Sequence, residues 1–396
     1  MVLLDILRSK VYNKSAMKKF VYFDNAATTP PDKEALERML CYLQESFGNA
    51  DSPHAAGRRA MVAVDSARET LANALGAKFS EIYFTSGGTE ADNWAIMGGA
   101  RAKRKEGRTH ILISSIEHHA ALFAAETLEK EGFEIEYIPV NEGGRVEVND
   151  VKRLLRPTTA MLCVMRVNNE TGVVQPIKEL APLAKENGCL FFVDAVQAFP
   201  HEKIDVKAWG ADLLSVSSHK VHGPKGCGAL YIRGGVKMEK LVGGGEQERG
   251  LRGGTLNVPA IVGFAAAVEK TVKEYSESAE KLSAIKKRFL DGIAELDGVT
   301  VNGDGKISPA VLSLRVQGVD NATLLYKADL QGLCIAAGSA CASASVKPSH
   351  VLTAMGRTEK EAKETVRISF GRQNTTEEAD EAAKIFVEVV KSLRKN

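Results

Sequence analysis

Short apolar runs alternate with helix-like patterns over the first two thirds of the 396-residue chain. Seven of these runs have the length of a strand: residues 81–85, 110–114, 134–140, 161–167, 190–194, 212–216 and 229–232. The segments between them carry apolar residues at helical spacing. Strands that alternate with helices are typical of βαβ units wound into one sheet. The pattern therefore predicts an α/β fold with a mostly parallel seven-stranded sheet.

The pattern changes from about residue 262 onward. Long amphipathic helices rich in Lys and Glu, such as 269–296, surround short strands at 299–301, 310–316 and 366–369. These elements predict a smaller α+β domain, and two domains are expected for a chain of this length. We expect residues 20–261 to form the large domain, and residues 1–19 and 262–396 to form the small one.

Polar residues follow the predicted strands at the points where they end. Lys220 comes after strand 212–216, Asp194 ends strand 190–194, and His118 follows strand 110–114. Sites in sheets of this kind lie beyond the carboxyl ends of the strands. A lysine desolvated there becomes a nucleophile that can form a Schiff base. Taken singly, Lys220 also fits a solvated loop charge and His118 a surface histidine.

A glycine turn, Thr85-Ser-Gly-Gly-Thr-Glu90, joins the strand at 81–85 to a helical pattern. A strand, a glycine turn and a helix together aim backbone N–H groups at an anion. A tight turn capped by Ser86 or Thr89 explains the same pattern. Because the chain has neither a GxGxxG loop nor a Walker-type loop, the sequence gives little support to nucleotide binding.

Four of these features together match one cofactor. A planar ring with a phosphate, a ring nitrogen and an aldehyde needs an anion cradle, an acid, an amine and an aromatic stacking partner. Pyridoxal 5′-phosphate has this shape, and proteins bind it with a Schiff-base lysine and an acid on the ring nitrogen. Lys220, Asp194, His118 and the pair Gly88 and Thr89 supply the four parts.

Composition excludes several other classes of protein. A hydrophobic content of 44% and a charged content of 26% are ordinary for a globular protein. The net charge of +2 gives no support to nucleic-acid binding, and no apolar run approaches the roughly 18 residues that span a membrane. The six cysteines form no C-x-x-C pair, which favours reduced thiols in a cytoplasmic protein. A metal site at His219, His222 and Cys227 is disfavoured, so no metal is expected.

One cysteine stands in an unusual context. Cys341 lies within residues 336–346, a run made almost wholly of small residues. Such a run has too little apolar bulk to pack, so it predicts a mobile loop that carries one thiol. A thiolate is a soft nucleophile, suited to accepting sulfur.

Eight stretches carry a resemblance to a known family. They are Tyr22-Phe-Asp-Asn-Ala-Ala-Thr-Thr29, Phe84-Thr-Ser-Gly-Gly-Thr-Glu90, Glu117-His-His-Ala120, Val167-Asn-Asn-Glu-Thr-Gly172, Val193-Asp-Ala-Val-Gln197, Ser217-Ser-His-Lys220, Glu248-Arg-Gly-Leu-Arg-Gly-Gly-Thr255 and Gly338-Ser-Ala-Cys-Ala-Ser-Ala-Ser345. Over about residues 17–396 the chain resembles the NifS/IscS-type cysteine desulfurases of the class V aminotransferase group. The resemblance implies a homodimer of the pyridoxal phosphate-dependent fold type I. It also implies conversion of L-cysteine to L-alanine, with the sulfur held as a persulfide for an acceptor such as an iron–sulfur scaffold.

The resemblance further implies a role for each matching residue. Those near the cofactor would be the Schiff-base lysine Lys220, the ring-nitrogen partner Asp194, the ring-hydroxyl partner Gln197 and the stacking, proton-transferring His118. Those at the phosphate would be Gly88, Thr89, Ser217 and His219, with Thr255 reaching the phosphate of the neighbouring subunit. Those for the substrate would be Asn169 and Arg367 at its carboxylate, and Cys341 as the nucleophile.

Two other functions fit parts of the same sequence. A selenocysteine lyase, or another class V pyridoxal phosphate enzyme, would use the same pocket without needing Cys341. A non-catalytic partner in iron–sulfur assembly would be expected to have lost cofactor residues, yet Lys220, Asp194, Gln197 and His118 are all present.

Overall fold

The computed structural model describes residues 20–338 and 348–395. Its strands are β1 Val21–Tyr22, β2 Ile82–Thr85, β3 His110–Ser114, β4 Glu134–Ile138, β5 Thr159–Cys163, β6 Leu190–Asp194, β7 Leu213–Ser217, β8 Gly228–Ile232, β9 Val299–Val301, β10 Val311–Val316, β11 Leu333–Cys334 and β12 Thr365–Ser369. Its α-helices are α1 Lys33–Gln44, α2 Ala55–Leu75, α3 Gly88–Asn93, α4 Gly99–Arg104, α5 His119–Lys130, α6 Val148–Leu154, α7 Ile177–Asn187, α8 Val206–Trp209, α9 Val258–Gly292, α10 Asn321–Gln331, α11 His350–Ala354, α12 Glu359–Lys363 and α13 Thr376–Arg394. A π-helical turn, Trp94–Gly98, joins α3 to α4.

The predicted seven-stranded, mostly parallel sheet is confirmed. Its strand order is β2-β8-β7-β6-β5-β3-β4. Only β8 runs against its neighbours β2 and β7, and the other adjacent pairs are parallel. The carboxyl ends of the six parallel strands therefore lie along one edge of the sheet.

Both faces of this sheet are covered, which explains why its strands read as continuous apolar runs. Side chains that alternate along a strand point to opposite faces. On β6, Val193 packs into a core that includes Phe264 of α9, whereas Phe192 packs into the core that contains Trp94. The result is a three-layer α/β arrangement.

A second core lies around a three-stranded antiparallel sheet with the order β12-β10-β9. Strand β1 pairs in parallel with β11, so Val21 and Phe23 pack into this second core. Phe289, near the end of α9, packs into the same core. Because α9 has 35 residues, about 50 Å of helix links the two cores. The domain boundaries remain a prediction.

Several element boundaries differ from the prediction, and two of these differences have a structural explanation. Helix α9 begins at Val258, eleven residues before the predicted start at 269, because Asn257 caps it and Pro259 fits its first turn. Strand β5 ends at Cys163 instead of at residue 167. Val164, Met165 and Val167 are buried although they lie outside the strand, which explains why the apolar run continues past Cys163. In the described part of the chain, no helix is long and apolar enough to cross a membrane.

Candidate active site

A cavity of about 180 Å³ lies at the carboxyl edge of the seven-stranded sheet. Ten of the predicted site residues line it: Gly88, Thr89, His118, Asn169, Asp194, Gln197, Ser217, His219, Lys220 and Arg367. They come from five strand ends of the large sheet and from β12 of the small one. The structure thus brings together residues that are up to 279 positions apart in the sequence (88 to 367).

Lys220 ends a 3₁₀ turn, Ser218–Lys220, that directly follows β7. Its Nζ donates hydrogen bonds to the carbonyl of Ala26 and, at 3.0 Å, to that of Ala27. Gln197 Nε2 donates to the same Ala26 carbonyl at 2.8 Å. The turn after β1 therefore orients the amine and the amide on one side of the cavity.

Asp194 is the last residue of β6, and its side chain is buried. Burial raises the pKa of this carboxyl to about 6, against the opposing effects of the Val196 N–H and of Lys220. The Val196 N–H donates to Asp194 Oδ1 at 2.8 Å. A nearby cation, such as a protonated ring nitrogen, would stabilise the ionised form of this desolvated carboxyl.

Asp92 of α3 lies beneath the same cavity and was missed by the sequence analysis. It is buried and accepts a hydrogen bond from Ser215 Oγ at 2.5 Å. Burial, together with the nearby Asp194, raises the pKa of Asp92 well above its ordinary value. Its position on a helical pattern gave no hint that it faces the site.

The opposite end of the cavity is suited to an anion. The N-cap of α3 is Gly87, so no side-chain oxygen occupies the cap, and the first N–H groups of a helix lack intrahelical acceptors. Ser217 Oγ is buried there without a hydrogen-bond partner among the described residues. A Cβ added at Gly88 would lie 2.9 Å from Val196 Cγ2, so a side chain at this position would force Val196 to shift.

The two histidines at the cavity are neutral near pH 7. Burial, and then Lys220, lower the pKa of His118 to about 4, and the same causes lower that of His219 to about 4. His118 Nδ1 accepts a hydrogen bond from the Ala120 N–H at 3.1 Å, so the proton of the neutral ring resides on Nε2. A neutral imidazole can stack on a planar ring without adding charge.

Arg367 brings the three-stranded sheet into the site. It lies on β12, is only 2% exposed, and donates through Nη2 to Asp24 Oδ1 at 2.8 Å. Its Nη1 donates to the Asn169 carbonyl at 3.0 Å, whereas Nε is buried without a partner among the described residues. Arg367 lines the cavity, and its guanidinium has more N–H donors than these two bonds use, so it can also bind a carboxylate.

The remaining two predicted site residues are Thr255 and Cys341. Thr255 is exposed and does not line the cavity, and Cys341 lies outside the described residues. The cavity also includes residues that the sequence analysis did not single out: Ala26, Ala27, Asp92, Met165 and Val196. Apart from Asp92, these residues have apolar side chains, so their residue types gave no sign of a role in the site.

The polar groups of the cavity fit pyridoxal 5′-phosphate. An amine and a buried acid line the cavity, and the Ser217 hydroxyl, which has no hydrogen-bond partner among the described residues, lies beside the glycine turn. This fold and site define the class of pyridoxal phosphate enzymes. A sequence model of the family described as Aminotransferase class-V matches residues 21–381, so the chain belongs to that family.

Known relatives narrow the class and confirm the resemblance to NifS/IscS-type cysteine desulfurases. "Cysteine desulfurase IscS" of Methanosarcina thermophila is 45% identical over 383 residues, which cover 96% of this chain and 95% of that protein. A solved "NIFS-LIKE PROTEIN" is 36% identical with a TM-score of 0.89, over 94% of this chain and 100% of that one. A structure described as "SspA in complex with cysteine" is 37% identical with a TM-score of 0.79, over 88% and 98%. Because enzymes of this family use pyridoxal phosphate, the predicted cofactor is confirmed.

Proposed function

We propose that the protein is a cysteine desulfurase that converts L-cysteine to L-alanine and transfers the sulfur to Cys341. The observation that carries this proposal is the meeting of Lys220, Asp194 and Arg367 in one cavity. An amine and an acid serve the cofactor, and a buried guanidinium at the same cavity serves an amino-acid carboxylate. The relative SspA, whose structure is described as a complex with cysteine, supports the choice of amino acid.

Each residue of the cavity has its own role in the proposed reaction. Pyridoxal phosphate, when bound, supplies a protonated ring that withdraws electrons from the substrate. Asp194 keeps the ring nitrogen protonated, while Arg367 and Asn169 hold the substrate carboxylate. Lys220 accepts and returns protons at Nζ, and the neutral His118 carries on Nε2 a proton that it can donate.

Sulfur transfer needs a thiol that can reach the cavity. In the proposed step the carbon–sulfur bond of the substrate breaks, a sulfur–sulfur bond forms on Cys341, and the carbon gains a proton to give alanine. None of the five cysteines in the described part of the chain lines the cavity. Burial raises the pKa of the Cys189 and Cys227 thiols to about 12, which leaves them poor nucleophiles.

The substrate assignment is tested by alanine release from L-cysteine and from L-selenocysteine, with the wild type and Cys341→Ala side by side. We expect the variant to lose at least about a hundredfold in alanine release from cysteine, because the acceptor thiol is gone. Release from selenocysteine should persist, since selenium leaves more readily than sulfur. Cys41→Ala, which changes an exposed cysteine, is the matched control. If neither substrate needs Cys341, the selenocysteine lyase or another class V activity replaces this proposal.

We also propose that the protein is a homodimer in which Thr255 reaches the cofactor phosphate of the partner subunit. Helices α1 and α2 expose several large apolar side chains, including Leu40, Leu43 and Val62, and Phe47 in the loop between them is 78% exposed. Large apolar side chains exposed together on one segment of the chain favour an interface. Sedimentation equilibrium of the full chain should give the mass of two chains. The mass of one chain would contradict the dimer.

The family resemblance supports a proposal for the protein that receives the sulfur. A persulfide on Cys341 would pass to an acceptor protein such as an iron–sulfur scaffold, in the cytoplasm. The five described cysteines are all free thiols, in keeping with a reducing compartment.

A further inference from the structure

Two carboxylates hold the glycine turn that leads from β2 into α3. The Phe84 N–H donates to Glu248 Oε2 at 2.9 Å, and the Ser86 N–H donates to Glu90 Oε2 at 2.9 Å. Each carboxylate is in turn held by an arginine through two hydrogen bonds. Arg68 binds Glu248 at 2.7 and 2.8 Å, and Arg252 binds Glu90 at 2.8 and 3.0 Å. We call Arg68, Glu90, Glu248 and Arg252 the carboxylate brace.

One half of the brace is almost completely desolvated. The side chains of Arg68 and Glu248 are 7% and 0% exposed. Removing two charges from water is costly, and such a pair persists only where its geometry and additional hydrogen bonds are good. Arg68 Nη1 also donates to the Ile82 carbonyl at 2.8 Å, so the pair holds β2 at its first residue as well as at Phe84.

The segment that supplies Glu248 has an unusual backbone. Glu248 and Arg249 have φ values of 48° and 58°, in the left-handed region that residues other than glycine rarely adopt. Such conformations cost energy, persist only when their surroundings enforce them, and cluster at functional sites. Here the enforcing contacts are the Arg68 ion pair and the Phe84 N–H, both of which need the Glu248 carboxylate in this place.

These contacts hold one end of the glycine turn, and the other end of the turn lines the cavity. Gly88 and Thr89, at the start of α3, line its anion-binding end together with Ser217. None of the four brace residues lines the cavity. The brace therefore holds the turn from behind, one carboxylate on each side of Thr85.

We propose that the carboxylate brace positions the backbone N–H groups of Gly88 and Thr89 for the phosphate of pyridoxal phosphate. Its members are positioning residues and do not touch the cofactor. The affinity for the phosphate depends on the direction of these N–H groups, because hydrogen bonds weaken steeply when they are misaligned. This role is independent of the substrate and rests only on the assignment of the phosphate to this end of the cavity.

The test compares two cofactors that differ only in the phosphate. The full-length protein and its variants are loaded with pyridoxal phosphate or with pyridoxal, and the rate of cofactor release is followed by absorbance. Arg252→Gln and Glu90→Gln should speed the release of pyridoxal phosphate roughly tenfold or more, the loss expected for a weakened charged hydrogen bond. Release of pyridoxal should change less than about twofold. Since Arg252 and Glu90 are 20% and 13% exposed, these variants are milder for folding than changes at Arg68 or Glu248.

Three further variants complete the design. Ser217→Ala removes the unpaired hydroxyl at the cavity and should speed the release of pyridoxal phosphate alone. Ser218→Ala removes an equally buried, unpaired hydroxyl that does not line the cavity, and Arg315→Gln breaks a part-buried ion pair with Glu364 in the small domain. Both control variants should release pyridoxal phosphate and pyridoxal at the wild-type rates.

Two results would overturn the proposal. If the brace variants speed the release of pyridoxal phosphate and of pyridoxal equally, the brace stabilises the fold in general and does not position the phosphate-binding groups. If Ser217→Ala also fails to distinguish the two cofactors, the phosphate lies elsewhere and the brace has no phosphate to position. Neither result bears on the proposed desulfurase activity, because release is measured without substrate.

Discussion

Lys220→Ala is expected to abolish turnover, by about a thousandfold or more, and to prevent covalent retention of the cofactor. The amine at this position is the only lysine amine among the described residues that lines the cavity. It serves both as the attachment point and as the group that carries protons, so its loss removes two functions at once. Borohydride treatment followed by mass spectrometry measures attachment, and alanine release measures turnover.

Lys225→Ala is the matched control for this experiment. Lys225 lies five residues further along the same loop, but it is exposed and does not line the cavity. Its variant should retain both covalent attachment and activity. Borohydride attachment of the cofactor to the Lys220→Ala protein would show that another lysine has been overlooked.

Asp194→Asn should have opposite effects on activity and on the stability of the cofactor-free protein. The amide cannot balance a protonated ring nitrogen, so turnover should fall about a thousandfold. Without cofactor, burial raises the pKa of Asp194 from 3.8 to about 6. The folded state thus binds the proton more tightly than the unfolded state does. This contribution to the free energy of unfolding is fully present below pH 4 and is lost as the pH rises through about 6.

The pH dependence supplies the measurement. Asn resembles the protonated acid at every pH, so above pH 6 the cofactor-free variant should be more stable than the wild type by up to roughly 3 kcal/mol. Below pH 4 the two should be alike. Urea unfolding of both cofactor-free proteins at pH 4 and pH 8 gives the comparison. A wild type that gains stability from pH 4 to pH 8 relative to the variant would contradict a raised pKa.

The sequence could predict the large sheet because its buried strands are short apolar runs separated by helices. It could predict the positions of Lys220, Asp194 and His118 because each one ends such a run or comes four residues after it. Asp24 could not be found in this way. It pairs with Arg367 across 343 positions, and no local pattern reports a contact of that range.

The roles of backbone groups in the site could not be predicted from the sequence either. The carbonyls of Ala26 and Ala27 hold Lys220, yet every residue has a carbonyl, so only the fold reveals which ones are used. The left-handed conformation at Glu248 is also a tertiary effect. Its cause is an ion pair with Arg68, 180 positions away.

The pairing of β1 with β11 has a consequence for the order in which the protein can mature. The ribosome releases the chain from its N-terminal end, and domains tend to fold as they emerge. Lys220, Asp194 and the glycine turn all belong to the sheet that ends at Ile232, so this sheet can close early. Phe23, by contrast, must wait for the strands and helices that follow Gly292. Of the predicted site residues described by the structure, Arg367 is synthesised last, so a nascent chain can form the sheet that carries the cofactor residues before it can hold a substrate.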